Sequence, residues 1–250
     1  ANQDSSSEGP ALQCVITNCC ELLGIPDTKL ILEVAEELCV GSVYVSFGCH
    51  PHDYRDYTDA MEARFLEELD ACGCRAVAWG ECGLDYCKNY DESQKPLERQ
   101  RMLDVFARQA RIAVARKLPL VVHSREAEQD TLQVLKDNLP REHKFHVHAY
   151  QGELGMMMEA LELFPNCIFG VSSIIMLAYP SSGSVEVARL CPLDRLVLET
   201  DAPYLSNSSY DVPKLAKKVA ELKGISPAAV VETTSAVCQR FYGIPRMPES

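Results

Sequence analysis

The sequence lacks the features that mark several common protein classes. Among twelve cysteines no two stand as C-x-x-C, and the CGC at 72–74 has no matching pair at finger-like spacing. A structural zinc site at Cys72 and Cys74 is therefore not expected. Cys14, Cys167 and Cys238 sit instead in apolar runs, which reads as reduced, partly buried thiols of an intracellular protein, cytoplasmic or nuclear. No apolar run approaches the roughly 18–20 residues that a membrane span needs, so no membrane partner is expected. The opening ANQDSSSEGP has neither the basic nor the apolar part of a signal peptide, and residues 1–11 read as a flexible leader. Positive charge is scarce: 24 Lys and Arg face 36 Asp and Glu, for a net charge of −12. That excludes a broad face gripping nucleic acid by counterion release. It leaves room for an enzyme that holds a few phosphates through metal and local Arg. Histidine is absent from the first 49 residues; all six lie at 50, 52, 123, 143, 146 and 148.

What is present is an alternation of short β-rich runs with helix-length amphipathic segments. Strands are expected at 12–18, 42–48, 75–80, 118–124, 144–150, 166–172 and 195–200. Their apolar residues run on without alternation, as in parallel strands covered on both faces. Helices are expected at 27–39, 58–71, 94–117, 126–138, 153–163, 183–190, 211–223 and 226–241. Repeated β-α units give an α/β fold with a parallel sheet, either doubly wound or closed into a barrel. With no repeat or linker in view, residues 12–250 are taken as one domain. Seven strands are counted where a (β/α)₈ barrel has eight.

The ionisable residues fall where chemistry would need them. Apolar runs stop at FGCHPH (47–52), AWGECGLDY (78–86), LVVHSRE (120–126), HVHAYQG (146–152) and LVLETDAP (196–203). Strand C-termini of parallel α/β folds converge on one face, so His50, Glu81, His123, His148 and Asp201 are expected to meet. Imidazole and carboxylate are the nitrogen and oxygen ligands of zinc, manganese or magnesium. Each residue taken singly has a bland reading, as a strand terminus, a loop position or a satisfied core histidine. Taken together, a metal centre explains them better.

At these motifs the sequence resembles the TatD family of metal-dependent deoxyribonucleases, through GCHPHD (48–53), GECGLDY (80–86), HSREA (123–127), HVHAYQG (146–152), ETDAPYL (199–205) and the closing TTSAVCQRFYGI (233–244). The resemblance implies a TIM-type (β/α) barrel that hydrolyses DNA phosphodiesters from 3′ to 5′ with two divalent ions, magnesium, manganese or zinc. Carried over by motif, Glu81 would bridge the two metals, His123 and His148 would hold one, and Asp201 would ligate the other. Glu81 and Asp201 are the expected catalytic residues, with Asp201 as general base for the attacking water. Arg125 is the candidate phosphate clamp. His50, His52 and Tyr86 are further candidates for substrate contact. A monomer is expected.

The sequence departs from the family at its start. The family opens with a strand ending in H-x-H, which gives two ligands to the metal shared with Asp201, and no such motif occurs here. The strand at 12–18 corresponds to the family's second, so the missing strand of the count is the first. A truncated sequence is the expectation, with the Glu81/His123/His148 part better preserved than the Asp201 part and nuclease activity weak or absent. Two alternatives stand beside the nuclease: an amide or ester hydrolase of the same barrel superfamily, and a degenerate, non-catalytic barrel.

Overall fold

The apolar runs form seven parallel strands, most of them buried on both faces. The computed structural model describes residues 14–20, 32–33, 42–87, 95–177, 182–202, 204–205 and 211–245. The leader and most of the helix expected at 27–39 lie outside them. The strands are β1 (Cys14–Cys19), β2 (Ser42–Phe47), β3 (Ala76–Asp85), β4 (Leu120–Arg125), β5 (Phe145–Val147), β6 (Cys167–Val171) and β7 (Leu196–Leu198). They form one sheet in the order β1 to β7, every neighbouring pair parallel. Among the described residues no ladder joins β7 to β1. The architecture is a (β/α) half-barrel of the TIM type with seven strands, as the sequence count anticipates.

The helices between and after the strands are α1 (Asp59–Cys72), α2 (Lys95–Arg116), α3 (Glu128–Asn138), α4 (Leu154–Leu163), α5 (Ser182–Leu190), α6 (Val212–Lys223) and α7 (Pro227–Tyr242). Their ends follow local chemistry. The Thr58 hydroxyl accepts from Met61 N–H at the start of α1, and Ser226 does the same for Ala229 ahead of Pro227 in α7. Gly224 and Gly243 end α6 and α7 in the left-handed conformation.

Side-chain alternation divides each strand between two environments. Val45, Phe47, Leu120, Val122, Phe145, Val147 and Phe169 face the helices and join Phe65, Phe106, Leu132, Leu135 and Met157 in the main core. On the inner face, Tyr44, Val77, Ile168 and Val197 pack with residues from α7 and its exit: Val237, Phe241, Tyr242 and Ile244. The polar histidines and carboxylates belong to this inner face, toward the strand C-termini.

Three strand ends differ from expectation. Polarity at Glu81 suggested that β3 stops at Gly80, yet it runs on to Asp85. The strand continues because its carboxylates find histidine partners. Its backbone also passes close to β4, where a Cβ at Gly80 (φ +136°) would meet the backbone and side chain of Val121. Conversely β5 stops at Val147 and β7 at Leu198, so His148 and Asp201 stand just beyond their strands.

Candidate metal centre

Glu81 is the hub of the inner polar cluster. Its Oε1 lies 2.6 Å from Nδ1 of His123 and 4.0 Å from Nε2 of His50. Its Oε2 turns the other way and lies 3.7 Å from Nε2 of His148. His148 Nε2 in turn is 3.3 Å from Oδ1 of Asp201. One carboxylate thus faces two separate groups of ligand atoms. The ligand atoms of His50, Glu81 and His123 all fall within 4.8 Å of one another, the spacing a single cation requires. Buried imidazole nitrogen beside carboxylate oxygen suits zinc or manganese, and the donor set fits a divalent metal.

The loop after β2 is pinned so that His50 reaches this cluster. Gln109 of α2 is fully buried. Its Oε1 accepts from Cys49 N–H at 2.7 Å and its Nε2 donates to Cys49 C=O at 3.1 Å. Trp79 Nε1 also donates to Gln109 Oε1. Both backbone groups of the residue preceding His50 are therefore satisfied by one core side chain.

The structure brings together Glu81, His123, His148 and Asp201, as expected from sequence. His50, expected at the substrate, lies with Glu81 and His123. His52 Nε2 donates to Asp85 Oδ2 at 2.9 Å. Arg125 ends β4 beside His123, half-buried, with Nη1 donating to Ser124 C=O. Tyr86 is used differently: its hydroxyl donates to Asp130 at 2.7 Å and Arg99 lies over its ring at 4.3 Å. Those contacts tie Tyr86 to α2 and α3.

The charges in this cluster oppose burial. Burial pushes the Glu81 carboxyl up, but His148, His123 and His50 outweigh it and hold Glu81 well below the usual carboxylate range. For His148, burial favours the neutral ring, but Glu199, Glu81 and Asp201 outweigh it and raise its pKa far above an ordinary histidine. His123 is also raised: burial works against its charge, while Asp85 and Glu81 hold it. His50 and His146 are pushed down, chiefly by burial, to about 3 and about 4. The raised His123 and His148 favour their protonated rings, so a cation must displace protons there, whereas the lowered His50 stays neutral. Affinity for zinc should accordingly rise as the pH climbs past the ordinary histidine range, with proton release. Calorimetric titrations across that range test this; affinity flat or falling with pH would refute it.

A comparison with known proteins bears on this geometry. Residues 7–243 match the model of the family described as TatD related DNase. The chain belongs to that family. It is a TatD-like metal-dependent hydrolase, and it spans about a third of one relative's length and most of another's. The human protein named 3′-5′ RNA nuclease TATDN2 is 35% identical over 96% of this chain, which spans 31% of that protein's length. The 3′-5′ ssDNA/RNA exonuclease TatD of Cronobacter sakazakii is 30% identical over 86% of this chain and 84% of its own. In structure, a hydrolase TatD family protein from Entamoeba histolytica superposes with a TM-score of 0.79 at 19% identity, covering 92% of this chain and 85% of that one. The last likeness speaks to the fold alone.

Within this TatD fold, two carboxylates beside the histidines are absent from the expected site. Asp85 Oδ2 is 3.1 Å from His123 Nε2, and Glu199 Oε2 is 2.5 Å from His148 Nδ1. The signal for both was period-two alternation: in LVLETD residues 197, 199 and 201 share a side, as do 81 and 85 once the strand continues. Reading each strand end as a single ionisable residue passed over them.

Proposed function

We propose that the chain is a metal-dependent nuclease that hydrolyses phosphodiester bonds from the 3′ end of single-stranded DNA. The observation that carries the proposal is Glu81, whose two oxygens face histidines on opposite sides, as a carboxylate bridging two cations would. In place of the expected pairing of His123 with His148, His50 and His123 would hold one divalent ion with Glu81, and His148 and Asp201 would contribute to the other. Manganese, zinc and magnesium are the candidates. Metal bound there would polarise a phosphoryl oxygen and lower the pKa of a water. Asp201 suits the role of general base because its side chain is the most open of the site's carboxylates, 25% exposed against 8% for Glu81. Arg125, at the end of β4 two residues beyond His123, would take a substrate phosphate as a charge-assisted clamp.

The relatives named as nucleases support the substrate class, and RNA is the second arm of the test. The same reading takes the chain as an intracellular monomer, in a reducing compartment, cytoplasm or nucleus. None of the cysteines among the described residues is in a disulfide. Among the described residues no helix is long and apolar enough to cross a membrane.

The experiment is incubation of the chain with single-stranded DNA and RNA oligonucleotides labelled at the 5′ end, with manganese or with chelator. Manganese-dependent ladders that shorten slowly from the 3′ end are expected, as a centre without the H-x-H ligands would give. Cleavage that persists in chelator, or manganese-dependent hydrolysis of an ester with no action on either nucleic acid, would overturn the proposal.

A further inference from the structure

Two of the three histidines beside Glu81, His123 and His148, have their second ring nitrogen occupied, each by a carboxylate and each in the opposite sense. In His123 it is Nε2 that meets a carboxylate, Asp85 Oδ2 at 3.1 Å, leaving Nδ1 against Glu81 Oε1 at 2.6 Å. In His148 it is Nδ1 that meets Glu199 Oε2 at 2.5 Å, leaving Nε2 between Glu81 Oε2 and Asp201 Oδ1. We propose that Asp85 and Glu199 are positioning residues that set which nitrogen each histidine presents to metal: Nδ1 of His123 and Nε2 of His148. The inference rests on the reading of Glu81, His123 and His148 as metal ligands and adds to it the tautomer of each ring.

Each carboxylate is itself held. Asp85 Oδ1 accepts from Cys87 N–H at 2.9 Å, and its Oδ2 is shared with Nε2 of His52. Glu199 Oε1 accepts a short hydrogen bond from Ala149 N–H, the residue after His148, so one side chain fixes both the ring and the backbone that follows. Space for it comes from β6. A Cβ on Gly170 would collide with Glu199 Oε1 and with His146 Nε2, so only glycine there lets the carboxylate lie flat against the sheet. A carboxylate accepting from the far N–H of a ligating histidine fixes the ring's orientation and raises its basicity toward metal. Neither Asp85 nor Glu199 need touch the cation to do this.

The test uses the full chain and zinc. Calorimetry gives the affinity of the parent and of Asp85→Asn, Glu199→Gln and Glu199→Asp. Nitrogen-15 spectra of the zinc-loaded histidines show which ring nitrogen is protonated and which is bound. Expected is a loss of about 10–100-fold in affinity for Asp85→Asn and Glu199→Gln, with partial recovery in Glu199→Asp. In the parent, His123 should be protonated at Nε2 and His148 at Nδ1, and each variant should disturb only its own histidine. Variants that bind zinc within twofold of the parent with unchanged ring states would overturn the inference. So would a parent whose bound nitrogens are reversed. A parent that binds no zinc would instead sink the ligand reading itself, which keeps the two failures apart.

Discussion

Glu81→Gln should reduce the metal-dependent hydrolysis rate to background. Glutamine keeps the size and shape of the side chain, so the fold around it should persist. It removes the negative charge and replaces one acceptor oxygen with a donor amide. The oxygens at risk are those facing His123 Nδ1 at 2.6 Å and His148 Nε2 at 3.7 Å, so the substitution strikes both halves of the centre at once. Metal activation is worth several kcal/mol of transition-state stabilisation, and about 4 kcal/mol is roughly a thousandfold in rate. Steady-state oligonucleotide digestion with manganese measures the loss, and circular dichroism checks the fold. A variant rate within about tenfold of the parent would deny Glu81 its central place.

Phe145→Ala should cost about 3–5 kcal/mol of folding stability, the range for deleting a large buried aromatic. Phe145 is completely buried at the start of β5 and meets Phe164 edge-to-face, with ring centroids 5.1 Å apart. Its position faces the helices, and its neighbour His146 faces the other way, so the cavity opens on the side of the sheet away from the metal centre. That loss is a large fraction of a typical domain's 5–15 kcal/mol. A urea midpoint lowered accordingly is expected, with zinc affinity of the folded protein kept near that of the parent. A stability loss under about 1 kcal/mol would show that the β5 core is not packed as described.

Much of this was readable in the residues, for identifiable reasons. LVVHSR and NCIFGV are continuous apolar runs, and both appear as strands covered on two faces, β4 and β6. The face carrying the centre followed from chain direction alone, because parallel strands put their C-termini together. Register and partnership were less accessible. That β3 continues to Asp85 depends on glycines meeting the β4 backbone and on histidines that neutralise its carboxylates, and both are contacts between distant segments. Nor does FYGI reveal that the Tyr242 hydroxyl reaches His146 Nδ1 at 2.7 Å, since α7 reads only as an amphipathic closing helix. His50 likewise read as a residue of a proline-bounded loop. The buried Gln109, 60 positions away in α2, is what holds that loop in line with Glu81.

The central claim is that Glu81, His50, His123, His148 and Asp201 form a divalent metal centre. Its most direct test is titration of the chelator-treated chain with zinc near pH 7.5, in two buffers of different ionisation enthalpy. The account predicts at least one ion bound per chain, with a heat that depends on buffer because His123 and His148 give up protons. It also predicts no such binding in Glu81→Gln. A parent chain giving no heat beyond dilution, or a Glu81→Gln chain that binds as tightly as the parent, would contradict it.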